Sequence, residues 1–134
     1  MKIYLDSCIA ISLIEGTNPV RTSLNNEIER RASQAALYVS GAVKAECLVA
    51  PYRNNDVRLL DQYQTFFDGL NFLEVGDAAW SLAARLRART RLKFPDALHL
   101  AIAEYNRCDA FWTVDRDFHA LNYPLHLDIV LTQI

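Results

Sequence analysis

Apolar residues recur along this chain in two alternating rhythms: short continuous runs, and longer stretches at helical spacing. Ile3, Tyr4 and Leu5 form the first run and stop at Asp6, after which Ser7 is the expected cap of a helix carrying Ile9, Leu13 and Ile14 on one side. Gly16 and Pro19 are expected to end that helix. Residues 20–34, which include Glu27, Glu29, Arg30 and Arg31, predict an exposed helix. Residues 36–40 predict a second buried strand, broken at Gly41 before a largely apolar helix that Glu46 interrupts. Pro51 is expected to close it.

The same alternation continues. Residues 55–68 predict an amphipathic helix with Leu59, Leu60, Tyr63, Phe66 and Phe67 at helical spacing, ending at Gly69. Residues 71–75 read as a third strand, and Asp77 as the cap of a helix running through Trp80, Leu82, Ala83 and Leu86 toward Arg91. Pro95 and Asp96 open the next helix. An apolar run beginning at Ala110 predicts a fourth strand that ends in Asp115, followed by a short helix around residues 118–121 and a last strand at 127–131. Strands alternating with helices predict an α/β fold with a parallel sheet covered on both faces.

Composition narrows this picture without changing it. A chain of 134 residues, 51% hydrophobic and 22% charged, is large enough to bury one core. A net charge of -2 argues against a protein that coats nucleic acid by bulk charge and leaves room for a local basic patch. No apolar run approaches the roughly 20 residues that span a bilayer, and the N-terminus lacks the apolar core of a secretory signal, so a cytoplasmic location without a membrane partner is expected. Cys8, Cys47 and Cys108 form no C-x-x-C pair and read as small buried residues in a reducing compartment.

The acids carry the chemistry. In an open parallel sheet, ligands bind outside the carboxyl ends of the strands, where strand order reverses. Asp6 ends the first strand, Glu46 lies in the helix after the second, Asp96 begins the helix before the fourth, and Asp115 ends the fourth. Two like charges about 4 Å apart repel by on the order of 4 kcal/mol at an effective dielectric near 20. A cation or raised pKa values must relieve such a cluster. All-oxygen sites suit Mg²⁺ or Mn²⁺ and phosphate chemistry, in which the metal activates water and no histidine base is needed. On pattern alone, acids at strand ends also serve as helix caps.

Four segments now stand together: Ile3-Tyr4-Leu5-Asp6-Ser7, Ser40-Gly41-Ala42-Val43-Lys44-Ala45-Glu46, Pro95-Asp96-Ala97-Leu98-His99-Leu100-Ala101 and Thr113-Val114-Asp115-Arg116-Asp117-Phe118. In this order they resemble the PIN domain, most closely VapC-type toxins of toxin–antitoxin pairs. The resemblance implies one PIN domain over residues 1–134, an α/β/α sandwich around a short, mainly parallel sheet. It implies a Mg²⁺- or Mn²⁺-dependent endoribonuclease with one or two ions, an RNA substrate, a homodimer, and a cognate antitoxin whose C-terminal tail enters the active-site groove. Asp6, Glu46, Asp96 and Asp115 match the family's acidic positions, and Asp117 matches an additional acid. Thr113 matches a supporting hydroxyl, and Ser7 is a second candidate for that work. A non-toxin PIN nuclease acting in RNA maturation or on DNA is the alternative. A receiver domain would want an Asp ending the third strand, where Glu74-Val75-Gly76 stands; a haloacid-dehalogenase-like phosphatase would want D-x-D where Asp6-Ser7-Cys8 stands.

Each candidate has a plainer reading. Asp6 and Asp96 also suit helix starts, and Glu46 also suits an exposed helix position. With period two, Asp115 and Asp117 share one side if the strand persists, Asp115 being the expected direct ligand. His99 is expected to be a packed, hydrogen-bonded residue rather than a base. Arg91, Lys93 and Arg116 lie nearest the acids and are candidate RNA contacts, although the run Arg85, Arg87, Arg89, Arg91 and Lys93 is spaced to spread around a helix. Tyr63, Phe66 and Phe67 read as core, with part of that stripe open to an antitoxin helix.

Overall fold

The computed structural model describes residues 1–31, 34–119 and 121–132. Its elements are β1 (Lys2–Leu5), α1 (Ser7–Glu15), α2 (Asn18–Arg31), β2 (Ala36–Ser40), α3 (Gly41–Arg53), α4 (Val57–Asp68), β3 (Asn71–Leu73), α5 (Asp77–Arg89), α6 (Phe94–Tyr105), β4 (Ala110–Thr113), a 3-10 turn (Arg116–Phe118) and β5 (Asp128–Leu131). The expected helical residues 32, 33 and 120 lie outside the described residues.

Among the described residues the strands form one sheet in the order β3-β2-β1-β4-β5, and every pairing is parallel. The chain therefore winds outward from β1 on one side and returns to β4 on the other. Helix α1 packs on both α2 and α3, α3 packs on α4, and α5 packs extensively on α6. Right-handed crossovers put the two groups on opposite faces, which is the three-layer α/β/α sandwich expected. The core is this sheet's two faces. Tyr4, Leu5, Phe111 and Trp112, on the two central strands, have no exposed surface, and Tyr4 stacks on Phe111 with ring centroids 5.7 Å apart. Helix α6 is buried at every position from Ala97 to Ala103, which explains its nearly continuous apolar sequence.

Several boundaries differ from the sequence expectation. Pro19 lies in the first turn of α2, where its missing N–H costs nothing, instead of terminating α1. Pro51 sits inside α3, close enough to the end that only one helical hydrogen bond is forfeited; the chain continues helical to Arg53, and Pro51 is buried. Asp56 caps α4 by accepting a hydrogen bond from the Leu59 N–H at 3.1 Å. Helix α5 ends at Arg89 and its cap is Gly76, with Asp77 in the first turn. Strand β4 stops at Thr113, short of Asp115. Tyr63 and Phe67 are core, while Phe66 is half-buried and lines an open cleft of about 520 Å³ with Ile14, Arg58, Asp61, Gln62 and Thr65.

The central strand should dominate stability. Leu5→Ala is expected to lower the unfolding free energy by about 2–5 kcal/mol in urea titration. Val57→Ala, at a position 67% exposed, should stay within about 0.5 kcal/mol of the parent.

Candidate functional site

Strand order reverses between β1 and β4, so a crevice opens beyond their carboxyl ends. Asp6 lies at its floor, 3% exposed. Its N–H donates to the Trp112 carbonyl at 3.0 Å, which carries the β1–β4 ladder one residue past the strand. One carboxylate oxygen accepts the Ser7 N–H at 2.8 Å; the other accepts the Thr113 hydroxyl at 2.8 Å and the Cys8 thiol at 3.4 Å. Asp6, and not Ser7, is thus the cap of α1, because the carboxylate on the last extended residue reaches the first free N–H of the helix. Burial, then the Asp6 charge, pushes the Cys8 thiol up to about 11, so it remains a protonated donor. Cysteine 8 was expected to be mere filling; its position two residues after Asp6, in the first helical turn, was the available signal.

Thr113 connects the two central strands' acids. Its Oγ1 donates to Asp6 and accepts the Asp115 N–H at 3.0 Å. Asp115 then caps the 3-10 turn by accepting the Asp117 N–H at 2.9 Å. The strand does not persist, so Asp115 and Asp117 come to one side through this turn and not through strand alternation. Asp96 arrives from the first turn of α6, after Pro95. Asp96, Asp115 and Asp117 each offer a carboxylate oxygen, all within 4.8 Å of one another. Asp117 therefore ranks with Asp115 as a member of the cluster, where only Asp115 was expected to act directly. Burial, followed by the charges of Asp6 and Asp115, pushes the Asp96 carboxyl up to about 6.

Glu46 is held differently. It projects from α3 with its side chain 41% exposed and hydrogen-bonds His99 Nε2. This bond holds its carboxyl below the usual range, against partial burial that pushes the other way. His99 is 1% exposed, and its Nδ1 lies 3.0 Å from the Tyr4 hydroxyl, which lies 2.8 Å from Ser40 Oγ. Burial pushes the Tyr4 phenol far above its usual range, so it keeps its proton. With its proton in place, Tyr4 links Ser40 Oγ and His99 Nδ1 in one buried hydrogen-bonded chain that ends on Glu46. His99 is buried and hydrogen-bonded as expected, but Tyr4 and Ser40 were not foreseen as its partners, since strand residues carry no mark of what a distant helix brings to them.

Arg91, Lys93 and Arg116 are exposed. None takes part in an ion pair among the described residues.

Every ligand atom in the cluster is a carboxylate oxygen, and burial, followed by the charges of Asp6 and Asp115, raises the Asp96 carboxyl. A hard divalent cation such as Mg²⁺ or Mn²⁺ fits this set, with Asp96, Asp115 and Asp117 as its holders and Asp6 behind them.

The fold and this site define a parallel α/β protein with an acidic centre at its switch point. The chain belongs to the PIN domain family, whose model matches residues 3–122. Its fold is that of VapC toxins. It is similar to a chain of VapBC2 from Rickettsia felis bound to a DNA fragment from their promoter, with a TM-score of 0.82, 17% identity and 98% of each chain covered. A toxin–antitoxin complex from Klebsiella pneumoniae aligns with a TM-score of 0.71 and 21% identity over 90% of this chain and 92% of that one. VapC20 of Mycobacterium tuberculosis, described as a sarcin-ricin loop cleaving toxin, aligns with a TM-score of 0.69 and 15% identity over 94% and 98%. No curated protein matches in sequence. At these identities the likeness to the solved structures is one of fold.

A raised folded-state pKa means that the metal-free protein binds the Asp96 proton more readily folded than unfolded. Its stability should therefore fall as pH rises from 3.8 to about 6 and level off above. At neutral pH, Asp96→Asn should stabilise the metal-free protein by on the order of 1 kcal/mol, discounted for solvent screening at this half-buried carboxyl. Mn²⁺ should raise the melting temperature of the parent and not that of the variant, as read by calorimetry.

Proposed function

We propose that this protein is a metal-dependent endoribonuclease, a VapC-like toxin that hydrolyses RNA phosphodiester bonds and is inhibited by a cognate antitoxin. The observation that carries this reading is the convergence of Asp96, Asp115 and Asp117 in front of buried Asp6, at the switch point of a PIN domain. A bound Mg²⁺ or Mn²⁺ would supply Lewis-acid charge for phosphate oxygens and a nucleophile at neutral pH.

The chain's own residues divide the remaining work. Asp6, fixed by three hydrogen bonds, cannot swing away and presents its charge at one orientation. Asp96, Asp115 and Asp117 would hold the cation. Glu46, aimed by His99, stands close enough to Asp96 to raise its carboxyl, and it orients the attacking water or a second cation. Arg91, Lys93 and Arg116 contact RNA phosphates beside the acids. Hydrolysis leaves a 5′-phosphate and a 3′-hydroxyl. The assembly is a homodimer whose antitoxin occupies the acidic groove. The relatives described as toxin–antitoxin complexes support the protein partner, and the sarcin-ricin loop cleaving relative supports the RNA substrate.

Purified protein should cut structured RNA with Mg²⁺ or Mn²⁺ and stop in EDTA. Asp6→Asn should lower kcat by on the order of 100-fold. Cleavage by that variant at the parental rate would sink the assignment. Co-expression of a small reading frame lying directly upstream should abolish cleavage if it encodes the antitoxin.

A further inference from the structure

At the start of α6, two residues before Asp96, stands a pair of aromatic rings that the site described so far does not use. Trp80 of α5 and Phe94, the first residue of α6, stack with centroids 6.1 Å apart and planes 18° apart, yet they are 46% and 47% exposed. Aromatic side chains of this size bury readily in a core, and two that stack on each other at the surface leave their outer faces to solvent. Phe94 precedes Asp96 by two residues, about 3 Å along the helix axis and about 200° around it. Asp96 faces the cluster, and Phe94 stands on the opposite side of the helix start.

Basic residues predominate near the pair, with exposed Asp77, one helical turn before Trp80, as the exception. Residues 78–95 contain Arg85, Arg87, Arg89, Arg91 and Lys93 and no Asp or Glu, in a chain whose net charge is -2. Arg85 and Arg89 point elsewhere on α5, but Arg87 lies seven residues from Trp80 and so on the same face. Its guanidinium donates to the Leu92 carbonyl at 2.6 Å, which pins the linker carrying Arg91 and Lys93 to that face. Among the described residues none of these cations is in an ion pair. Exposed rings flanked by free cations match a single strand of nucleic acid, which offers a base to each ring face and a phosphate to each cation.

We propose that Trp80 and Phe94 form a base-stacking platform that seats an unpaired RNA nucleobase across the start of α6 from the acidic cluster, with Arg87, Arg91 and Lys93 on its flanking phosphates. The proposal rests on the RNA-cleaving reading of the acidic site. It adds to that reading a preference for a splayed, unpaired nucleotide.

Trp80 and Trp112 are the only tryptophans, and Trp112 is fully buried, so solvent-side quenching reports on Trp80. In EDTA, a short single-stranded oligoadenylate should quench tryptophan emission saturably, and an abasic oligomer of the same length should not. Trp80→Leu should remove the quenching and weaken binding by about ten-fold in fluorescence anisotropy, Phe94→Ser should weaken it too, and Trp80→Tyr should restore it. With Mn²⁺, KM for RNA should rise in Trp80→Leu by more than kcat falls.

Equal binding of the abasic and base-bearing oligomers would overturn the platform, as would unchanged binding by Trp80→Leu. A Trp80→Leu protein that sediments as a monomer where the parent is a dimer would also overturn it, making the pair a seam between copies. RNA hydrolysis with an unaltered KM in Trp80→Leu removes the platform and leaves the nuclease. Quenching without any hydrolysis removes the nuclease and leaves the platform.

Discussion

Repulsion among carboxylates at the ends of β1 and β4 is the constraint around which this molecule is arranged. Asp96, Asp115 and Asp117 sit within 4.8 Å of one another, with Asp6 buried behind them. Among the described residues no cation pairs with this group, and burial together with the charges of Asp6 and Asp115 pushes the Asp96 carboxyl up to about 6. A fold tolerates such a cost only where the surrounding structure over-determines each acid. Here that work falls to the Thr113 hydroxyl and the Ser7 N–H on Asp6, to the 3-10 turn that closes Asp115 on Asp117, and to Pro95 at the start of α6.

Glu46 is the exception that makes the arrangement intelligible. It does not join the tight cluster; it is aimed by a buried chain running through His99 and Tyr4 to Ser40. That chain draws on β1, β2, α3 and α6, so the orientation of one acid depends on the packing of both layers against the sheet. Geometry of this kind separates two arrangements at one crevice: three acids drawn together, and one acid set apart on a buried partner.

The order of elements was legible because it rests on local physics. Continuous apolar runs at residues 3–5, 36–40 and 110–113 became strands, and helical spacing at residues 57–68 became α4. Boundaries were less legible where a single bond decides them. Pro51 was read as a stop, but a proline near a helix end removes only one hydrogen bond, and burial of its ring keeps the last turn in place. Asp115 was placed on a strand because Ala110 to Val114 is apolar but for Thr113; β5 pairs only as far as Thr113, and past it the chain closes into a turn.

By itself, the sequence determined that acids would stand at the ends of parallel strands, since strand period, breakers and charge are all local properties. It also marked His99 as a residue that packs, from the apolar helix around it. Tertiary structure alone decided which acids meet: Asp117 joins Asp96 and Asp115, Asp6 is capped and buried, and Glu46 turns to His99. The physical reason is distance along the chain. Asp6 and Thr113 are separated by 107 residues, and Glu46 and His99 by 53, so their hydrogen bonds exist only once the sheet has set its register.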